Sequence, residues 1–218
     1  MRLAPEGKDV WGTLAGACLI VAILAAALQS RALLWVAVLI FILFILTALF
    51  FRDPERCIPD IPGAVVSPAD GRILEIKDVA EGLNPDEARR KISIFMSLLD
   101  VHVNRIPIGG VIQRLEYNRG RFLTAFHSKA SLLNEQQRIA IETSCGSVEC
   151  VQVAGWLARR IVCHLKEGQQ VQTGERFGMI RFGSRLDLYL PPGSMLDVSK
   201  GQKVRAGETV IGVLYEKK

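Results

Sequence analysis

Two runs of apolar residues, 10–28 and 32–51, constrain this chain more than any other feature: across residues 10–51 the one charged side chain is Arg31. At about 1.5 Å of rise per residue, either run as a helix reaches the roughly 30 Å of a bilayer's hydrocarbon core. Each therefore reads as a transmembrane helix. A cleaved signal peptide fits poorly, because the apolar stretch is too long and no small-residue cleavage pattern precedes a polar start. Only Gln29, Ser30 and Arg31 separate the runs, so the second must turn back along the first as an antiparallel hairpin. Arg2 and Lys8 precede the first run and Arg52 and Arg56 follow the second. Positive residues stay inside, which predicts a cell-membrane protein with both hairpin ends, and everything after Phe51, on the cytoplasmic face.

The net charge of +5 says little about partners. The first 51 residues carry Arg2, Lys8 and Arg31 against Glu6 and Asp9, which leaves the remainder mildly basic and without the cationic stripe of a nucleic-acid-binding domain. Cys18 lies in the first run and Cys57, Cys145, Cys150 and Cys163 are scattered, as in a reducing compartment. Cys145 and Cys150 have no second ligand pair at metal-site spacing, so no metal is predicted and both read as small buried residues flanking a hairpin turn.

From residue 52 onward, Gly, Pro and Asp recur about every 8–12 residues between short Val/Ile-rich runs, the pattern of a mostly antiparallel β domain. Strands are expected at 64–67, 71–76, 91–96, 111–117, 138–142, 148–153, 160–165, 178–182, 186–190 and 209–215, with a short helix or exposed loop at 84–87. One echo stands out. Glu167-Gly168-Gln169-Gln170-Val171-Gln172-Thr173-Gly174-Glu175 returns about 33 residues later as Lys200-Gly201-Gln202-Lys203-Val204-Arg205-Ala206-Gly207-Glu208. Each copy is a glycine turn, an inward valine and a second glycine turn, similar to the hammerhead turns of barrel sandwiches. The expected architecture is an N-terminal transmembrane helical hairpin (residues 1–51) followed by a mainly antiparallel β (α+β) domain (52–218) with duplicated barrel-sandwich-like halves.

Several chemistries are absent: there is no P-loop, no Gly-x-Ser-x-Gly elbow and no His-Glu-x-x-His. No lysine lies at the tip of either repeated turn in the Met-Lys or Asp-Lys pair of a lipoyl or biotin carrier. What remains is Phe182-Gly183-Ser184, set between two apolar strand segments. With it, in order along the chain, stand Phe51-Arg52-Asp53-Pro54-Glu55-Arg56, Ser67-Pro68-Ala69-Asp70-Gly71, Phe95-Met96-Ser97-Leu98-Leu99-Asp100-Val101-His102-Val103-Asn104-Arg105, and Asn134-Glu135. This series resembles the phosphatidylserine decarboxylase family, in its short membrane-associated form, over most of residues 52–218.

The resemblance implies a self-processing proenzyme cut between Gly183 and Ser184 into a β chain (1–183) and an α chain (184–218) that stay together as a heterodimer. Glycine keeps the carbonyl open to attack, and serine supplies the hydroxyl that forms an ester. Elimination and hydrolysis then leave a pyruvoyl cofactor at residue 184. Its ketone forms a Schiff base with membrane phosphatidylserine and accepts the electrons released with carbon dioxide, yielding phosphatidylethanolamine. The family's Ser-Pro-x-Asp-Gly motif makes Asp70 the carboxylate that orients a histidine for activation of Ser184; Pro-x-Asp-Gly is also a turn signal in its own right. His102 becomes the base in self-cleavage, the proton donor in decarboxylation, or both, against the plainer reading of a satisfied strand histidine. Longer forms of the family carry a second histidine three residues later, where this chain has Arg105; a guanidinium there suits bidentate binding of a lipid phosphate or carboxylate. His127 reads as a loop residue, or as a second catalytic histidine approaching from elsewhere if His102 does not do both jobs, and His164 as structural. Homo-oligomerisation is left open by the sequence. The competing reading is a non-enzymatic membrane-anchored adaptor built on a barrel-sandwich module.

Overall fold

The computed structural model describes residues 2–79, 88–120, 134–155, 160–181 and 184–215. The expected helix or loop at 84–87, His127, Phe182 and Gly183 lie outside these residues. The chain divides into two compact units, Met1–Glu55 and Arg56–Lys218.

In the first unit, α1 (Lys8–Ala27) and α2 (Arg31–Phe50) are each 20 residues of nearly unbroken apolar sequence, long and apolar enough to cross a membrane. Gln29 takes the left-handed conformation (φ 48°) in the turn between them, and Ser30 caps α2 by accepting a hydrogen bond at Oγ from the Leu33 amide. The helices meet through small residues: Ala25 and Ala37 are buried, and the Cys18 thiol reaches the Ala37 carbonyl at 3.6 Å. Such side chains let two helix backbones approach closely where water provides no drive for association. Leu19, Ile20, Ile23, Leu39 and Phe41 are exposed on the outside. Strand β1 (Arg2–Leu3) pairs antiparallel with β2 (Arg52–Asp53), so the two ends of the hairpin emerge side by side.

The second unit is built on an eight-stranded sheet. Its members are β4 (Gly71–Val79), β5 (Arg89–Met96), β7 (Gly110–Asn118), β8 (Gln136–Thr143), β9 (Gly146–Ala154), β11 (Gln170–Val171), β13 (Ser184–Leu190) and β15 (Lys203–Val204). They lie in the spatial order β11-β7-β8-β9-β13-β5-β4-β15, and every pairing is antiparallel. Among the described residues, two three-stranded sheets stand beside this sheet. One orders β10 (Arg160–Cys163), β12 (Arg176–Arg181) and β6 (Val103–Arg105); the other orders β14 (Met195–Leu196), β16 (Val210–Val213) and β3 (Ala64–Val66).

Each of the ten expected strands has its counterpart. The strands that sequence periodicity missed, β1, β2, β6, β11, β14 and β15, are two or three residues long, too short for alternation to register. Cys145 lies in the turn between β8 and β9 and Cys150 in β9, both buried; burial pushes the Cys150 thiol far up, as for a packing residue rather than a nucleophile. One face of the large sheet, with Ile92, Ile94, Ile139, Ile141, Leu186 and Leu188, builds the main core.

The echoed segments make matching backbone contacts. Gly168 donates to Ile112 O and Ile112 to Gln169 O; Gly201 donates to Ile73 O and Ile73 to Gln202 O. Val171 pairs with Gly110, and Val204 with Gly71. The second glycines, Gly174 and Gly207, have φ of 78° and 76°, which an L side chain rarely adopts. A Cβ on either would run into Ile58. Register shifts also fall at matching places, between Ile73 and Glu75 in β4 and between Ile112 and Arg114 in β7.

Candidate active site

Ser184 is the first residue of β13, which lies between two long partners: Ser184 faces Met96 of β5 on one side and Ala154 of β9 on the other. Its side chain is fully buried, and Oγ has no hydrogen-bond partner among the described residues. An orphaned buried hydroxyl is costly, and such groups concentrate where chemistry requires them. Its partner Met96 is also the last residue before the turn that leads to His102.

That turn is locked locally. Asp100 N–H donates to Ser97 O at 3.0 Å, while Asp100 Oδ2 accepts from Ser97 N at 2.9 Å and from Ser97 Oγ at 2.6 Å. The Asp100 carbonyl, held by this lock, lies 2.9 Å from His102 Nδ1. A carbonyl can only accept, so Nδ1 carries the proton and the neutral ring has its lone pair on Nε2. His102 is completely buried. The backbone thus sets the tautomer that a general base needs.

Asn104, two residues on, accepts at Oδ1 from Gln152 Nε2 (2.8 Å) and directs Nδ2 toward the Met96 sulfur (3.6 Å). Gln152 sits on β9 two positions from Ala154, on the face that Ser184 shares, and its Oε1 is buried with no hydrogen-bond partner among the described residues. Sequence reasoning missed both amides. The signal is a glutamine in the inward series Val148, Cys150, Gln152, Ala154, where every other member is small or apolar. Asn134 of the Asn-Glu pair donates through Nδ2 to Ala154 O at 2.8 Å, tethering the strand opposite Ser184.

Among the described residues, Asp70 makes its hydrogen bonds outside this network, to Arg56 and Ala206 rather than to a histidine. Its carboxylate receives Arg56 Nη2 at 3.0 and 2.8 Å and the Ala206 amide at 2.7 Å, joining the Ser-Pro-x-Asp-Gly turn to the second glycine turn and to the start of the domain. Arg105 is buried, and its Nη1 donates to Gly174 O at 2.9 Å. His164 is exposed after β10.

The face of the sheet opposite the Ser184 side chain holds buried charge. Lys91 Nζ lies 2.9 Å from Asp187 Oδ2, and Arg185 Nε lies 3.0 Å from Asp187 Oδ1. Burial alone would raise the Asp187 carboxyl; Arg185 and Lys91 outweigh it and hold the group below the usual range. Burial pulls the Lys91 ammonium down, with Asp187 opposing. Lys91 and Arg89 both stand over the Tyr189 ring, at 5.4 and 5.7 Å; burial foremost pushes the Tyr189 phenol up to about 12.

Residues 43–212 match the family model for phosphatidylserine decarboxylase. The chain is 46% identical over 213 residues to a phosphatidylserine decarboxylase proenzyme of Citrifermentans bemidjiense, covering 97% of this chain and 96% of that one. It is 43% identical over 217 residues to the proenzyme of Chlorobaculum parvum, covering 99% and 100%. With that of Ehrlichia chaffeensis it shares 48% identity over 177 residues, 80% and 78% of the two chains. Similarity of this extent displaces the adaptor reading. The chain belongs to the phosphatidylserine decarboxylase family and is a decarboxylase, a carboxy-lyase.

Proposed function

We propose that this protein is a self-processing proenzyme that decarboxylates phosphatidylserine to phosphatidylethanolamine and carbon dioxide, with a pyruvoyl group made from Ser184. The observation that carries the reading is the orphaned, fully buried Ser184 hydroxyl at the head of β13, beside the strand that leads to a histidine with a fixed tautomer. Ser184 Oγ attacks the Gly183 carbonyl while His102 Nε2 takes the hydroxyl proton; the Gly183–Ser184 C–N bond breaks, the Ser184 nitrogen leaves protonated, and an ester joins the two segments. Loss of the Ser184 Cα proton then expels the Gly183 carboxylate and leaves dehydroalanine, which water converts to pyruvoyl with release of ammonia. The fit to this chain lies in residue 184 itself, buried and requiring no further ligand from the protein. A pyruvoyl carbonyl supplies an electrophile that condenses with the substrate amine and takes up the electron pair left as carbon dioxide departs.

His102 then returns a proton to the carbon that had carried the carboxylate, which gives one histidine both tasks. Asp70 is a positioning residue: tied to Arg56 and Ala206, it fixes the start of β4, whose partner β5 carries the His102 turn. Arg105, a lipid-anion contact in the sequence reading, also holds the second glycine turn of the first repeat through Gly174. The hairpin α1–α2 anchors the enzyme in the cell membrane with the β domain on the cytoplasmic face, turning substrate capture into a local search. We also read the β domain as two related halves, residues 64–96 with 184–213 and residues 103–181, the second inserted into the first. The matching glycine-turn bonds and register shifts support this. The insertion opens at the His102 turn and closes at Gly183–Ser184.

Intact mass of the purified protein under denaturing conditions tests the reading: two chains are expected, the smaller beginning with a blocked residue 184. A single chain with an ordinary Ser184 overturns it.

A further inference from the structure

The turn that locks the His102 tautomer presents two leucines to the outside. Leu98 is 49% exposed and Leu99 77%, at the tip of the hydrogen-bonded Ser97–Asp100 turn. The same turn lines a cavity of about 360 Å³ whose other walls include Arg72, Phe95 and Lys203. Arg72 and Lys203 are directly paired across β4 and β15, so their exposed side chains leave the same face of the sheet edge. Arg72 Nη1 donates to Gly201 O at 2.6 Å, which uses one of the guanidinium's five donors. Asp100, the carboxylate in the wall, is turned to Ser97 through Oδ2. An aliphatic tip beside two cations has the layout of a segment that enters a bilayer interface, apolar part in the acyl boundary and cations at the phosphates.

We propose that this lip docks on an anionic leaflet, with Leu98 and Leu99 inserted and Arg72 and Lys203 at headgroup level. The register gives the contact its use. Phe95 faces both Arg72 and Arg185, on the sheet face opposite the Ser184 side chain, and Met96 faces Ser184, so a lipid held at the lip stands at the strand end where residue 184 begins β13 and reaches it around that end. The proposal rests on the preceding reading only in taking a bilayer lipid as substrate.

The test uses the full-length chain reconstituted in vesicles, with the exposed Cys57 replaced (Cys57→Ser) and an environment-sensitive fluorophore on Leu99→Cys. The spectrum of the chain without the introduced cysteine is subtracted. A control carries the label at Met195→Cys, a site 71% exposed on β14. Intact mass is taken first on each sample, so failure of the self-processing reading appears there and not in the fluorescence. In phosphatidylcholine vesicles containing phosphatidylglycerol, the label at 99 should shift to the blue and be quenched by a lipid-borne quencher, and the label at 195 should do neither. In the Arg72→Gln/Lys203→Gln variant, the lipid-to-water ratio of the label at 99 should fall by roughly fivefold per charge removed. A water-like spectrum at 99, or equal responses at 99 and 195, overturns the docking surface. Lipid burial at 99 that ignores both phosphatidylglycerol and the double substitution overturns the part assigned to Arg72 and Lys203.

Discussion

His102 owes its tautomer to the carbonyl of Asp100, two residues earlier, a residue whose carboxylate is held by Ser97. Replacing His102 by Ala should slow scission by about 10²–10⁴-fold, the usual worth of a positioned base, measured as the half-time for the second chain to appear; unchanged yields of processed, active enzyme would remove it from the mechanism. Ser184→Ala should give a folded, full-length, inactive chain, with circular dichroism matching the processed protein. The roles proposed for Ser184 and His102 come from ordered motifs, because a Gly-Ser pair between apolar strand segments and a histidine in a fixed frame stand out in a sequence. Asn104 and Gln152 were not, since an amide becomes unusual only when the fold shows that it points inward. Asp70 was legible as a turn residue, but its Arg56 partner, 14 positions away, needed the fold.

At the scale of an element, β13 departs most from its sequence. Ser-Arg-Leu-Asp-Leu-Tyr-Leu alternates like a strand with one wet face, yet all seven residues are buried, and Arg185, Asp187 and Tyr189 share the second face with Lys91. Local periodicity carries no information about what covers the polar side. Breaking a buried ion pair leaves charge uncompensated, so Asp187→Asn should lower stability by about 3–5 kcal/mol, read as a fall in the denaturant midpoint. The sign of the pH effect follows from the direction of the shift. With its folded-state pKa held down, Asp187 contributes stability above the ordinary carboxyl range, and that contribution fades as pH drops below about 4 and through the folded value. The gap between wild type and Asp187→Asn should therefore narrow on acidification.

Across the whole molecule, the apolar helices and the existence of a β domain were plain from composition and spacing, whereas the order of strands was not. Nothing local announces that β13 lies between β5 and β9, strands that precede it by tens of residues. After the proposed scission, the segment from residue 184 would retain main-chain ladders on both sides, β5 through seven residue pairs and β9 through six. The two chains should therefore co-elute on native size-exclusion chromatography and separate only in denaturant; release of the smaller chain in native buffer would contradict this arrangement. New chain ends ordinarily fray. Here the new end would be a fixed post, clamped by neighbours and unable to swing outward, so the reach between bilayer and reacting carbon must be supplied by the lipid. The headgroup would then serve as a gauge: an amino acid head one bond shorter or longer than phosphoserine should bring its carboxylate to the wrong height, giving selectivity without a contact dedicated to it.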